Sequence, residues 1–358
     1  MDMSEVVILD EHDRAAILSA MSLVGREYGE DDFYQFFYQC SRMNGMLPTR
    51  LSKALFDFRM GRSGSVLLIK GLLTQQHVPP TPALRGNTWN KTTLAARKIM
   101  CIALSQLGHI YNFLGKKDFD YIDDVFPIYR DRNEQLGSNC DFLEWHVEDG
   151  FHPAKADLAA LFCLRGDAAV QTHICKAQDL DLDANFRAEL MKKNFLIQVD
   201  PTFQPGSGAE GQFRCAVLSE GEDPEIIYDP AYMIGATPEA QAALKHVHDC
   251  IQAAYQSITL EPGDLLVFDN RRVMHARSAY QPAYDGSDRW LLRSLLLESY
   301  WKTRECLDQL ALTPDSVAWP PPRSTSTIAQ INGRKGAENE RFIQQEAVSD
   351  HASQRSEV

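Results

Sequence analysis

The sequence predicts a mainly β protein with flanking helices, its short strands closing into a barrel or sandwich. Three features carry that expectation. The first sixty residues have helical periodicity, and from about residue 120 short apolar runs alternate with turn residues. One amphipathic segment, TPEAQAALKHVHDCIQAAYQSI, interrupts the late runs. A chain of 358 residues is long enough to bury a large core.

Taken in order, DEHDRAAILSAMSLVG has cap candidates at Asp10 and Asp13, apolar residues near helical spacing, and a stop at Gly25. PTRLSKALFDFRMG repeats the pattern. GSVLLIKGL is rich in Leu and β-branched residues between glycines, and reads as a buried strand. NKTTLAARKIMCIALSQLG is the strongest helix, capped by Asn90 or Thr92 and closed by Gly108. The strand candidates that follow are YIDDVFPIY, DFLEWHVE, ADLAALFCLRG, AVQTHICKA, FRCAVLSEG, GDLLVFDN and RWLLRSLLLESYW. The expected organisation is one domain over 1–313. A helical part with the first strand runs to 115, and a β core spans 120–300 with a helix inserted at 238–258. The Pro-, Ser- and charge-rich tail, 314–358, reads as a flexible extension. QPGSGAEGQ reads as a mobile connection and a candidate substrate lid.

Bulk properties narrow the function. A net charge of −13 argues against a nucleic-acid partner, since phosphate binding needs clustered Lys and Arg. No run approaches the roughly eighteen apolar residues of a membrane span. The start, MDMSEVVILDEHD, lacks the pattern of a signal peptide, so no membrane partner and a cytoplasmic location are expected. The eight cysteines include no C-x-x-C pair, which excludes a zinc framework and suggests reduced, mostly buried thiols.

The chemistry concentrates in EWHVEDGFHP. If DFLEWHVE is a strand, His146 and Glu148 share a face and can bind one metal ion from one side. H-x-E alone occurs by chance, and for the pair by itself a decorated surface is the better reading. EPGDLLVFDNRRVMHARS supplies a third candidate, His275, after another apolar strand. Two histidines and a carboxylate on one face make the facial triad of mononuclear non-haem Fe(II) enzymes. Zinc hydrolases also use His and Glu, so the triad alone does not name the metal. DRWLLRSLLL then alternates Arg289, Leu291, Arg293 and Leu295 on one face. Interior arginines need anions. Four residues of strand separate these two by about 13 Å, which implies two anions rather than one. The distal carboxylate of 2-oxoglutarate and a substrate carboxylate would satisfy both. Outward-facing arginines paired with surface acids are the competing reading, which the apolar flanks disfavour.

Together WHVEDGFHPAKADLAALFCLRGD and HARSAYQPAYDGSDRWLLRSLLL resemble the clavaminate synthase-like branch of the Fe(II)/2-oxoglutarate-dependent oxygenases. That branch includes hydroxylases of free arginine, asparagine and lysine. The resemblance runs from GSVLLIKGL to LLLES, and its spacing is specific: H-x-E, a distal His, then Arg fourteen and eighteen residues later. It implies a double-stranded β-helix (jelly-roll) core, with His146, Glu148 and His275 as iron ligands. Arg289 would bind the distal carboxylate of 2-oxoglutarate, with the Thr172 hydroxyl near that cosubstrate, and Arg293 the substrate α-carboxylate. Asp229 falls where relatives place an acid near the substrate side chain, which would suit a cationic or amide group. An Asp-Pro turn is the equally good bland reading. Ser138 and Asn139 match polar positions on the substrate backbone.

The expected activity is hydroxylation of an unactivated C–H of a free amino acid or close derivative. Fe(II), 2-oxoglutarate and O2 would be consumed together, with succinate and carbon dioxide as coproducts. Glu148 argues against halogenation, which leaves that coordination position open in relatives. The alternatives are desaturation or cyclisation on the same iron, or a non-catalytic jelly-roll binding protein. His152 reads as a loop residue. His246 and His248, two apart on a helix, face different ways. Trp145 alternates away from the metal face. One departure stands out: where relatives carry Gln or Glu for the α-amino group, NFLGKKDF offers Lys116 and Lys117, which would repel an ammonium and signal an altered substrate, or else both lysines lie in solvent.

Overall fold

The computed structural model describes residues 5–25, 33–73, 78–86, 88–116, 120–203 and 211–312. Along the chain, β1 (Glu5–Ile8), α1 (Glu11–Ser22), α2 (Phe33–Ser41) and α3 (Thr49–Arg59) precede β2 (Val66–Lys70), α4 (Lys91–Leu104) and β3 (His109–Phe113). The N-terminal part thus contributes three strands where the sequence suggested one. Then follow β4 (Asp123–Val125), β5 (Leu143–His146), β6 (Leu158–Arg165), β7 (Thr172–Lys176) and α5 (Ala184–Leu190). β8 (Phe195–Gln198), β9 (Gln212–Cys215) and β10 (Met233–Gly235) lead to the inserted helix α6 (Pro238–Ala254). That helix ends four residues early, because β11 (Gln256–Ile258) begins there. The chain continues through β12 (Leu265–Asp269), β13 (Val273–Arg277), β14 (Trp290–Leu297) and β15 (Leu310–Leu312).

The caps follow the expected chemistry. Asp10 accepts from the Asp13 N–H, and Asp13 returns a bond to the Asp10 N–H. Asn90 caps α4 by accepting from the N–H groups of Thr92 and Thr93.

β1, β2, β12, β6, β14, β3 and β15 lie side by side in that order, with β4 also on β14. Only β1 and β2 among these run parallel. A second sheet runs β11-β7-β13-β5, and a third β10-β8-β9. The large sheet is covered on both faces. Leu67, Ile69, Ala160, Phe162, Val267 and Leu292 pack with helix residues such as Ile17, Phe36, Leu55 and Ile99. Their neighbours Val66, Leu68, Leu161, Leu266, Leu291 and Leu295 instead join Trp145, Ile174 and Ala276 of the second sheet. Two sheets face each other, with helices outside the larger one, in a jelly-roll core. Double burial also explains why these strands read as continuous apolar runs rather than alternating ones.

One local expectation fails. β5 ends at His146, so Glu148 lies in the following turn and not on the strand. The Val147 N–H donates to the Tyr228 carbonyl, and Asp149 turns the chain with φ 51°. Residues 204–210 of the expected lid, Lys117 and the tail lie outside the described residues. Among those described, no helix is long and apolar enough to cross a membrane.

The turn into β12 depends on Gly263, which has φ +88° and backs directly onto the Leu73 carbonyl oxygen. Gly263→Ala adds a clash with backbone to a left-handed strain. We expect it to lower stability by about 2–4 kcal/mol, read as a shifted urea midpoint with an unchanged m-value.

Candidate active site

β5 and β13 pair so that His275 lies opposite His146, with ring centroids 4.1 Å apart. Phe268 packs against the His275 ring at 4.8 Å. Glu148 reaches back from its turn, placing Oε1 3.4 Å from His275 Nε2. One ligand atom from each residue lies within 4.8 Å of the others, close enough to share one ion. His146 Nδ1 sits 2.7 Å from the Glu144 carbonyl oxygen. A carbonyl can only accept, so the proton is on Nδ1 and Nε2 keeps its lone pair for a metal. Burial, and then His275, hold the His146 pKa below its usual value. Burial alone would raise Glu148, but Arg293 and the two histidines outweigh it, and the carboxyl falls well below the ordinary range. An ionised carboxylate beside two imidazoles suits a divalent cation.

The triad lines a cavity of about 420 Å³, the size of a small-molecule site. Arg289 and Thr172 line it together, Arg289 Nη2 donating to Thr172 Oγ1 at 3.2 Å. Arg289 is buried, and among the described residues no carboxylate pairs with it. Burial, with Arg277 nearby, lowers its pKa to about 10. A buried guanidinium with only a hydroxyl partner marks a place for an anion. Arg293 is different. Its Nη1 lies 3.0 and 2.9 Å from the two Glu148 oxygens, and Nη2 lies 2.8 Å from Asp123 Oδ2. The protein itself supplies this arginine's anions.

The other predicted residues separate cleanly. Asp229 lines the cavity, and so does Ser138, whose Oγ donates to Asp131 Oδ2 at 2.6 Å. Asn139 is turned away, its carbonyl accepting from Arg277 Nη1 at 2.7 Å. Lys116 lines the cavity but does not stand as a bare charge, since its Nζ lies 3.0 Å from Asp149 Oδ2. Burial opposes the Lys116 charge, yet Asp149, Glu148 and Asp123 raise its pKa overall. Burial and Glu148 push Asp149 the other way, toward its proton. At 3.0 Å the direct contact decides, and we take the pair as ionised. A repelled ammonium is therefore not implied at Lys116.

His152 is engaged elsewhere, with Nε2 2.7 Å from Gln309 Oε1 and Nδ1 accepting from the Ala154 N–H. His246 stacks on Phe186 while His248 lies beside Gln252, so they share no ligand. Trp145 is buried in the wall against His173 and Tyr255. Sequence reasoning missed Asp123, Asp200, Glu134 and Arg277, all of which line the cavity. Arg277 had a signal, since it follows His275 by two residues on one strand. Asp200 and Glu134 had none, because loop residues have no periodicity to betray the way they face.

The profile of the taurine catabolism dioxygenase TauD, TfdA family matches residues 196–295. The chain is 29% identical over 325 residues to an enduracididine beta-hydroxylase of Streptomyces hygroscopicus, covering 83% of this chain and 95% of that one. It is 30% identical over 280 residues to an L-ornithine/L-arginine 3-hydroxylase of Catenulispora acidiphila, covering 69% and 80%. A solved asparagine oxygenase, in complex with Fe(II), 2S,3S-3-hydroxyasparagine and succinate, superposes with TM-score 0.77 at 25% identity. That match covers 84% of this chain and 96% of the other.

Asp229, Asp200 and Glu134 gather near Tyr232, whose phenol is pushed up by burial and by these three acids. Among the described residues none of the three has a cationic partner. Asp229 is half-buried by surface area because it faces the cavity, yet surrounding protein raises its pKa to about 7, with Asp200 adding to burial and His146 opposing. The folded state therefore holds more protons than the unfolded chain between the ordinary carboxyl value of 3.8 and about 7. Stability falls as pH rises through that window, and the cost is complete above it. Asp229→Asn keeps the acceptor for the Ala231 N–H and removes the charge. Cavity solvent screens the effect, so we expect a gain of about 1–2 kcal/mol at pH 8 that disappears near pH 4, measured by urea denaturation across pH.

Proposed function

This chain belongs to the clavaminate synthase-like Fe(II)/2-oxoglutarate-dependent oxygenases of the TauD/TfdA family, and we propose that it hydroxylates a free amino acid with a cationic side chain. The observation that carries the reading is a buried Arg289, without an acid, in the same cavity as a His-Glu-His triad. His146, Glu148 and His275 would hold the iron. Fe(II) with 2-oxoglutarate and O2 supplies an oxidative decarboxylation, to succinate and carbon dioxide, strong enough to activate an ordinary C–H bond.

The chain's own residues bind and aim. Arg289 would meet the distal carboxylate of 2-oxoglutarate, with Thr172 steadying the guanidinium. Arg293 and Asp123, one charge of each sign, suit the carboxylate and ammonium of an amino-acid head group. With Glu148 holding a metal ion, Arg293 Nη1 would be left to a substrate carboxylate. Ser138 adds a hydroxyl near the same head group. Asp229, supported by Asp200 and Glu134, attracts the side-chain cation. The names of two relatives, which act on enduracididine and on L-ornithine or L-arginine, agree with that last assignment. Catalysis by the protein then lies in orientation: the head group and the side-chain cation are fixed at two points, which leaves one carbon facing the triad.

Purified protein with Fe(II), ascorbate and 2-oxoglutarate, offered basic amino acids singly, should release succinate and add one oxygen to one of them. Glu148→Ala should abolish both. Loss of two hydrogens would instead identify desaturation or cyclisation, and no substrate-dependent succinate with any free amino acid would end the proposal. Arg289→Met should raise the KM for 2-oxoglutarate at least tenfold, with Mn(II) binding unchanged. An unaltered KM would remove Arg289 from its role.

A further inference from the structure

We infer that Asn270 is a positioning residue that sets Glu148 for metal binding. Glu148 lies two residues past β5, where no strand ladder holds its backbone. One side chain takes the place of that ladder. Asn270 Oδ1 accepts from the Glu148 N–H at 2.7 Å, and Nδ2 donates to the Glu148 carbonyl at 3.1 Å. The second Nδ2 hydrogen goes to the Ala156 carbonyl at 3.0 Å. The amide is fully buried, and both its donors and its acceptor are used.

Asn270 is itself rigidly held. Its N–H donates to the Asp157 carbonyl at 2.9 Å. Next to it, Arg271 pairs with Asp269 at 2.8 Å and Glu298 at 3.0 Å. His275 follows five residues later on β13. The turn before β13 therefore fixes the backbone of one candidate ligand and leads into the strand that carries another. From the far side, Lys116 holds Asp149, the left-handed residue after Glu148.

Only a carboxamide does this. An aspartate in place of Asn270 would present acceptors alone, against the Glu148 carbonyl, and would add a charge beside Glu148 and Asp149. An alanine there would leave two buried backbone groups unpaired. Neither change touches a ligand atom, and Asn270→Ala adds no charge, so its loss of metal affinity would travel through the Glu148 backbone, whereas the charge added by Asn270→Asp would by itself favour a cation.

The inference rests on reading the triad as the metal site, and the test separates the two. Mn(II) alone is titrated into the full chain by calorimetry. The unsubstituted protein should bind one equivalent and Glu148→Ala should not. Asn270→Asp and Asn270→Ala should bind at least tenfold more weakly. Gly263→Ala, destabilised but lining no part of the cavity, should bind like the parent. Asn270 variants within twofold of the parent would make the residue merely structural and overturn the inference. A parent that binds no Mn(II), or a Glu148→Ala that binds as well as the parent, would instead overturn the triad reading. Hydrogen exchange on the unsubstituted protein is decisive even if the Asn270 variants fail to fold. The Glu148 amide should exchange as slowly as those of β13, and exchange as fast as exposed turn amides would overturn the inference.

Discussion

A sheet buried on both faces leaves little room for an uncompensated charge, and the arrangement of the cavity depends on that constraint. Along the inner face of β14, Leu291 and Leu295 meet the second sheet while Arg293 sits between them. A guanidinium there is tolerable only with acids against it, and Glu148 and Asp123 supply them. Lys116 is matched to Asp149 in the same way. Arg289 has a hydroxyl and no acid, and its pKa falls accordingly. Binding energy for an anion is stored in that mismatch.

Glu148 does not stay on the strand that carries His146. Residues two apart on one face of a flat strand lie about 6.5–7 Å apart, so such a pair meets at one ion only when its side chains lean together. Two histidines facing across the β5–β13 pair, with the carboxylate swung in from a turn, bring the ligand atoms within 4.8 Å. The cost of the turn is a left-handed Asp149 and a backbone without a ladder. Asn270 and Lys116 are the local compensation for it.

The acidic side of the cavity shows the opposite economy from the core. Asp229, Asp200 and Glu134 lack cations, and Tyr232 and Asp229 both titrate abnormally among them. The burial of Asp229 weakens the empty protein, and on the proposed reading the same charge favours a cationic guest, a familiar trade between stability and function.

Periodicity in the sequence determined a helical start, β-rich runs and an inserted helix, and resemblance to a known family marked His146, Glu148 and His275 as candidate ligands, with Arg289 and Arg293 behind them. Those features are local, because an apolar run or an alternating arginine records its own burial. Tertiary structure alone decided the partners. Lys116 read as a repelling charge until Asp149, thirty-three residues on, was seen against it. Arg293 read as an open anion site until Glu148 and Asp123 closed on it. Asn270 carried no signal beyond a polar residue at a strand end, because its role lies in hydrogen bonds to a residue 122 positions away. Burial is written in the periodicity of one segment, whereas compensation of charge and backbone polarity is settled only where segments distant in the chain meet.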